Sequence, residues 1–340
     1  MKAAVFYEPN QLLKIEEVPL PKIESGEILV KVAACGLCHT DLHYIDHGVP
    51  TFKKPPLILG HEISGIVDQI APDVTNFKVG DRVLLPAVMS CGVCTMCRSG
   101  RENVCAKMVM PGNDIDGGFA EYVKAPAKDA FHLPEEIPLT DGCVIADAIT
   151  TPYHAVKNRG QVRPGDYVVV YGCGGIGLNT VQMANAAGGS VIAIDINETK
   201  LDMAKKLGAI ATINAKEVLD VGKAVRKITG GGTDIAFECI GNPKTMELTL
   251  NTVRTGGRFV IVGYTEHSMN LNASRVMYRE IEVIGSLGCR LVDYPKAIEM
   301  VRCGKLVLTP LISKRFSLDQ VNEGLDYLRS GEGFRSIIVL

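Results

Sequence analysis

The chain has 340 residues, 46% of them hydrophobic, with 36 basic and 38 acidic side chains and a formal charge of −2. That length exceeds what one core usually supports, so two domains are expected. The near-neutral balance gives no basic face for nucleic acid, and no run of about 18 apolar residues gives a membrane span.

The opening MKAAVFYEPN has no long apolar region and reads as a first strand, so a cytoplasmic protein is expected. Short β-type runs follow at 2–7, 13–17, 27–32, 63–70 and 81–85, separated by Pro and Gly at irregular spacing. They suggest a barrel-like or sandwich-like domain, with a short helix over 38–45. A cysteine-rich lobe occupies 88–110, and strands are expected at 119–124 and 130–133. The pattern then changes. A helix is expected over 140–158, kinked or restarted near Pro152. From 167 onward, apolar strands at 167–171, 191–194, 211–213, 235–238, 258–262 and 281–285 alternate with helical stretches. That alternation calls for a parallel sheet covered on both faces. Helices are expected at 294–303 and 318–330. A final apolar strand at 336–340 could pair back with the N-terminal β domain, which periodicity does not settle.

Eleven cysteines is a high count, and four lie within fifteen residues as Cys91-x2-Cys94-x2-Cys97-x7-Cys105. Four soft thiolates at this spacing can wrap a tetrahedral structural Zn²⁺. Iron–sulfur is the competing metal, but no proline follows the last cysteine and there is no second cluster. Cys143, Cys173, Cys239, Cys289 and Cys303 sit among apolar neighbours and are expected to be buried small hydrophobes.

Residues Tyr167–Tyr171 run into Gly172-Cys173-Gly174-Gly175-Ile176-Gly177, a G-x-G-x-x-G turn after a strand and before a helix. Gly172 permits the sharp turn, Gly174 lets backbone approach a pyrophosphate, and Gly177 allows close packing; Gly175 and Ile176 complete the turn. Asp195 ends the next strand, where its carboxylate can accept adenosine ribose hydroxyls and would repel the extra phosphate of NADP. NAD is therefore expected. A dispersed set adds Cys38, His61-Glu62 and Asp147, a thiolate, an imidazole and carboxylates suited to a catalytic zinc. No local spacing rule brings them together. Composition alone favours a core His61 beside an exposed Glu62.

The motifs CGLCHTDLH (35–43), GHE (60–62), GDRV (80–83), the four-cysteine lobe, GGFAEY (117–122) and YGCGGIG (171–177) occur in the order seen in the zinc-containing medium-chain alcohol dehydrogenase family. The chain resembles that family over essentially its whole length. The resemblance implies an α/β protein with a doubly wound parallel-sheet dinucleotide-binding domain and a GroES-like, mostly β catalytic domain. The expected divisions are 1–146 catalytic, 147–289 dinucleotide-binding, and 290–340 returning to the catalytic domain. It places Cys38, His61 and Asp147 on catalytic-zinc positions, with Glu62 close to the ion and able to enter its shell transiently. Asp147 departs from the cysteine of many members, and Cys143, one turn earlier, is the competing candidate. Thr40 matches a residue contacting the substrate oxygen and His43 a distal proton relay. His39 and Arg335 match phosphate-contacting positions, and Asp195, Asn197 and Lys200 match the ribose neighbourhood.

The function implied is reversible oxidation of a primary or secondary alcohol by hydride transfer to NAD, with two Zn²⁺ per chain, in a homodimer or homotetramer. Its partner is a small alcohol or carbonyl compound, with no nucleic acid and no membrane. Ala87 falls where many members carry a large aromatic, which implies room for a bulkier substrate such as a polyol, an amino alcohol like threonine, or a cyclic hydroxyacyl-CoA. A reading of another class is a non-catalytic protein that uses the zinc lobe for interaction.

Overall fold

The computed structural model describes residues Met1–Leu340, which form two compact units. Met1–Thr150 and Gly288–Leu340 make the first, and Thr151–Leu287 the second. The expected boundary at 146/147 is therefore four residues early. Asp147 belongs with Cys38 and His61, on the unit that holds the rest of their donor set. No helix is long and apolar enough to cross a membrane.

The first unit is mostly β. A three-stranded sheet runs Lys14–Glu17, Lys2–Phe6, Leu57–Ile58. A larger seven-stranded sheet is organised around the eleven-residue strand Glu27–Leu37. One edge of that strand pairs along its length with Glu62–Ile70. The other edge is shared: Tyr122–Pro126 takes its first half and Arg335–Val339 its last four residues, both antiparallel. The closing apolar strand thus does return to the N-terminal β domain, as the length and apolar character of 336–340 allowed. The core beneath is apolar throughout, with Ile28, Val30, Leu37, Leu57, Ile63, Phe119 and Ile338 essentially inaccessible.

Register delivers the chemistry to one end of this sheet. Gly36 lies opposite Glu62, and Leu37 opposite Ser336. Cys38, His61, Glu62 and Arg335 consequently emerge side by side although they span 297 residues of sequence. Gly36 is required there, because a Cβ would overlap the Glu62 carboxylate.

The second unit is a six-stranded parallel sheet. Its order is Ala211–Asn214, Ser190–Asp195, Tyr167–Tyr171, Thr233–Glu238, Val253–Ile261 and Glu282–Gly285. Numbered within the unit this is 3-2-1-4-5-6, the doubly wound order of dinucleotide-binding folds. Its strands are rich in Val and Ile and buried on both faces, with Val169, Ile192, Ile194, Ala236 and Phe259 in one cluster.

The expected helix over 140–158 is broken. A short α-turn at Leu139–Gly142 tightens into a 3₁₀ segment at Cys143–Ala146, and Asp147 leaves the helical region with φ −135° and ψ −55°. Helix resumes at Thr150–Tyr153 and widens into a π-helix at His154–Gly160. At the break the backbone groups bond elsewhere: the Ala148 amide donates to Glu62 Oε1 and the Ala146 carbonyl accepts from the Thr150 hydroxyl, while Pro152 falls in the first turn of the resumed helix, where its missing N–H costs nothing. The helix after the strand Ala211–Asn214 starts at Val221, where the Asp220 side chain caps the Lys223 amide. Of the cysteines expected to be buried, Cys143, Cys173 and Cys289 are. Cys239 is half-buried, and Cys303 is exposed at the end of the helix Tyr294–Arg302, beyond its apolar face.

Candidate functional site

The four-cysteine lobe is built on a short loop closed by the one-turn helix Thr95–Arg98, whose N-cap is Cys94. The sulfurs stand 3.4 Å apart for Cys91 and Cys105, 3.5 Å for Cys94 and Cys97, 3.8 Å for Cys94 and Cys105, and 3.9 Å for Cys91 and Cys97. A tetrahedron with Zn–S bonds of about 2.3 Å has edges of about 3.8 Å, whereas a disulfide would bring sulfurs to about 2.05 Å. The lobe therefore fits a four-thiolate metal ion with almost no rearrangement. Backbone amides add to the fit. Those of Cys97 and Ala106 lower the Cys94 thiol to about 6, and that of Val93 leads the lowering at Cys91, while burial raises Cys97 to about 11. The peptide dipoles favour thiolate at two corners before any metal is considered.

A second donor cluster lies at the end of the larger sheet. Cys38 closes the strand Glu27–Leu37, His61 precedes the strand Glu62–Ile70, and Asp147 sits at the helix break. Their ligand atoms all lie within 4.8 Å of one another; Cys38 Sγ is 3.9 Å and His61 Nε2 4.0 Å from Asp147 Oδ2. In a tetrahedral site with typical bond lengths these edges are about 3.5 and 3.3 Å, so closure by roughly half an ångström would ligate an ion. Cys143, the competing candidate, is fully buried outside this set, and burial pushes its thiol far up.

Asp41 completes the site, and its role was not read from the sequence. Its carboxylate Oδ2 accepts from the Cys38 amide at 3.0 Å, and Oδ1 lies 3.8 Å from His61 Nδ1. Neither Oδ1 nor Nδ1 has a hydrogen-bond partner, although both are buried. Such a pair is costly unless it does something. Facing Asp41 through Nδ1 leaves Nε2 for the metal, the arrangement in which a carboxylate fixes a ligating histidine. A signal was present: Asp41 occupies the third position of the helix His39–Asp46, where a carboxylate returns to the N-cap amide. Burial opposes charge on His61, but Cys38, Asp41 and Asp147 outweigh it and raise the imidazole to about 10. The pocket is strongly cation-seeking.

Glu62 and Arg335 pair with each other. Glu62 is fully buried rather than exposed and stands outside the donor set. Both of its oxygens bind the Arg335 guanidinium, and Oε1 also accepts from the Ala148 amide at 3.0 Å. Burial raises the Glu62 carboxyl, against the pull of Arg335. Arg335 is only 3% exposed, and its guanidinium faces Glu62 inside the first unit. The reason is register: Ser336 opposite Leu37 and Glu62 opposite Gly36 force the two side chains together, and a buried charge needs its partner.

The remaining predicted residues are near but less committed. The Thr40 hydroxyl is 3.6 Å from Cys38 Sγ. His43, one turn later, is half-buried with its ring 5.6 Å from His47, and His39 is exposed.

In the second unit each motif glycine has a distinct structural reason. Gly172 has φ +93° and its amide binds the Ile194 carbonyl at 2.8 Å. Gly174 caps the helix Gly175–Ala186 and faces open space where its Cβ would be, while a Cβ at Gly177 would overlap the Gly172 carbonyl. Ile176 lies in the first turn of that helix. Asp195 Oδ2 accepts from the Cys173 amide at 2.6 Å, and Oδ1 from Ile196 and Asn197 at 2.7 and 3.0 Å. Three of its roughly four acceptor positions are thus in use, tying the strand end to the glycine turn. One remains on Oδ2 for a ribose hydroxyl. Asn197 caps the next helix, its Oδ1 accepting from the Lys200 amide.

Residues 24–135 match the alcohol dehydrogenase GroES-like domain, and residues 175–302 match the zinc-binding dehydrogenase model. An alcohol dehydrogenase from Geobacillus stearothermophilus is 38% identical over 98% of this chain and 96% of its own length. Sorbitol dehydrogenase from Bacillus subtilis is 34% identical over 96% and 93%. The crystal structure of the alcohol dehydrogenase from the archaeon Aeropyrum pernix superimposes with a TM-score of 0.92 at 33% identity, covering 100% of both chains.

Proposed function

The chain belongs to the zinc-containing medium-chain alcohol dehydrogenase family, and from that premise we propose that it oxidises a primary or secondary alcohol reversibly to an aldehyde or ketone with NAD. The observation that carries this reading is the trio of buried Cys38 and His61 with half-buried Asp147, gathered from three chain segments with Thr40 beside it. Three protein donors are what a catalytic zinc takes, with the fourth position left for substrate; Cys91, Cys94, Cys97 and Cys105 would hold a second, structural ion. When bound, the catalytic zinc supplies Lewis acidity at the alcohol or carbonyl oxygen, and NAD the hydride-accepting ring.

The chain's own residues divide the rest of the work. Asp41 holds the His61 ring in orientation. Thr40 accepts the proton leaving the substrate hydroxyl, and His43, half-buried on the same helix, returns it toward solvent. Arg335 neutralises Glu62 and, with its Nη2 3.9 Å from Asp147 Oδ2, tempers the negative charge around the donors. Asp195 disfavours a 2′-phosphate and so selects NAD.

The substrate reading extends to polyols and amino alcohols such as threonine, supported by the small side chain at Ala87 and by the sorbitol-oxidising relative. Self-association belongs to the same proposal. The strand Glu282–Gly285 ends its sheet, and near it Met277 and Tyr278 are 74% and 85% exposed, the kind of edge a second copy covers. A cytoplasmic location fits eleven free thiols, four of them arranged for metal.

The test is zinc content with NAD- and NADP-coupled absorbance across simple, cyclic, polyol, amino and CoA-linked alcohols. Two zinc ions per chain are expected, and Asp147→Ala should lose one of them together with turnover. Full zinc retention in that variant would reject Asp147 as a ligand.

A further inference from the structure

We propose that Tyr294 is a positioning residue for the Asp147 arm of the metal site, an inference that rests on the zinc reading above. Tyr294 opens the helix Tyr294–Arg302, 148 residues beyond Ala146. Its hydroxyl donates to the Ala146 carbonyl at 2.6 Å and accepts from the Ala87 amide at 3.3 Å. The ring is 2% exposed and stacks on Phe131, with centroids 4.9 Å apart and planes 6° from parallel. The hydroxyl is therefore held by its ring and used in both directions, as donor and as acceptor.

The bond falls at a place where backbone direction is otherwise weakly set. Ala146 ends the 3₁₀ segment, and Asp147 leaves helical geometry, so the regular ladder does not continue through this peptide. The Ala146 carbonyl instead accepts two hydroxyls, from Tyr294 and from Thr150 at 3.0 Å. These fix the plane of the Ala146–Asp147 peptide, which sets the direction of the Asp147 Cα–Cβ bond. A twist of about 20° there would carry the carboxylate oxygen by roughly 1 Å, from bond lengths of about 1.5 Å. Metal ligation tolerates only about 0.2 Å. An aspartate, with its short side chain, has little reach to recover the difference.

Filling the space does not need the hydroxyl. Phenylalanine would occupy the same volume and stack on Phe131 without burying a polar atom. What the hydroxyl adds is a fixed link among three segments: the end of the strand Arg82–Leu85 through Ala87, the helix break at 146–147, and the start of the C-terminal helix. Tyr294 acts through the peptide that carries Asp147.

The experiment uses the full zinc-loaded protein and Tyr294→Phe, with release of each ion followed by a colorimetric chelator. The lobe ion is the internal reference. Loss of a partner that orients a ligand typically costs 10–100-fold in metal affinity. Release of the Cys38–His61–Asp147 ion is expected to quicken about tenfold, with the four-cysteine ion unchanged. Cobalt substituted at the catalytic site should show shifted visible bands, a signature that a packing loss elsewhere would not produce. Thr150→Val, which removes the other hydroxyl from the same carbonyl, should move the same phase in the same direction. If the wild type holds two ions and Tyr294→Phe releases both at wild-type rates with an unchanged cobalt spectrum, the positioning role is refuted. Equal acceleration of both ions refutes it too, as general destabilisation. A wild type that holds only the lobe ion overturns the zinc reading itself.

Discussion

Replacing Arg335 with methionine would leave the Glu62 carboxylate buried without its counter-ion. Arg335 is 3% exposed and Glu62 fully buried, so water cannot replace the guanidinium. Breaking a buried pair from one side costs about 3–5 kcal/mol. The carboxyl can limit that cost by taking a proton. With an ordinary Glu pKa of about 4.3, protonation costs about 1.36 × (7.5 − 4.3), or 4.4 kcal/mol at pH 7.5, and about 1.6 kcal/mol at pH 5.5. The sign follows from linkage: the folded variant then holds a proton that the unfolded chain releases, so its stability is lost as pH rises above the unfolded value. Relative to wild type, Arg335→Met should thus be destabilised by about 3–5 kcal/mol at pH 7.5 and by somewhat less at pH 5.5, because the wild-type Glu62 carboxyl, raised by burial to about 7, then carries a proton too. Adding Glu62→Leu should recover most of the loss. Urea unfolding followed by far-ultraviolet circular dichroism at the two pH values measures both numbers. A loss below about 1 kcal/mol at pH 7.5 would refute a buried charged pair.

Cys97→Ser should remove one zinc equivalent and leave the Cys38–His61–Asp147 ion in place, checked by metal analysis after dialysis; loss of both ions would mean the two sites are not independent. Gly177→Ala places a Cβ against the Gly172 carbonyl. It should cost about 1–3 kcal/mol of stability and weaken NADH binding at least tenfold by fluorescence titration, and unchanged NADH affinity would count against the turn as the pyrophosphate site. Asp195→Asn keeps the shape but removes the charge. The NAD to NADP ratio of kcat/KM should fall at least tenfold, and an unchanged ratio would place the selectivity elsewhere.

Much of the chemistry was legible because it is local. Four cysteines within fifteen residues can close on one ion with only short loops between them, so their spacing already carried the geometry. The glycine turn was equally readable, since the strand Tyr167–Tyr171, the turn and the helix Gly175–Ala186 are consecutive. Alternating strands and helices likewise announced the doubly wound sheet. Cys38, His61 and Asp147 were different. They could be named only through resemblance, because what brings them together is pairing between strands far apart in sequence.

That pairing also decided what no linear pattern could. Opposing Gly36 to Glu62 and Leu37 to Ser336 put Glu62 and Arg335 in contact as a buried ion pair, where composition alone favoured an exposed Glu62. The helix break at Asp147 placed a carboxylate where a continuous helix over 140–158 would have turned it elsewhere. The sequence by itself determined which residue types were available and the two sites whose parts are contiguous. The tertiary structure alone decided which of the dispersed charges ligate, which compensate and which orient, because those roles depend on distances of a few ångströms that strand register sets.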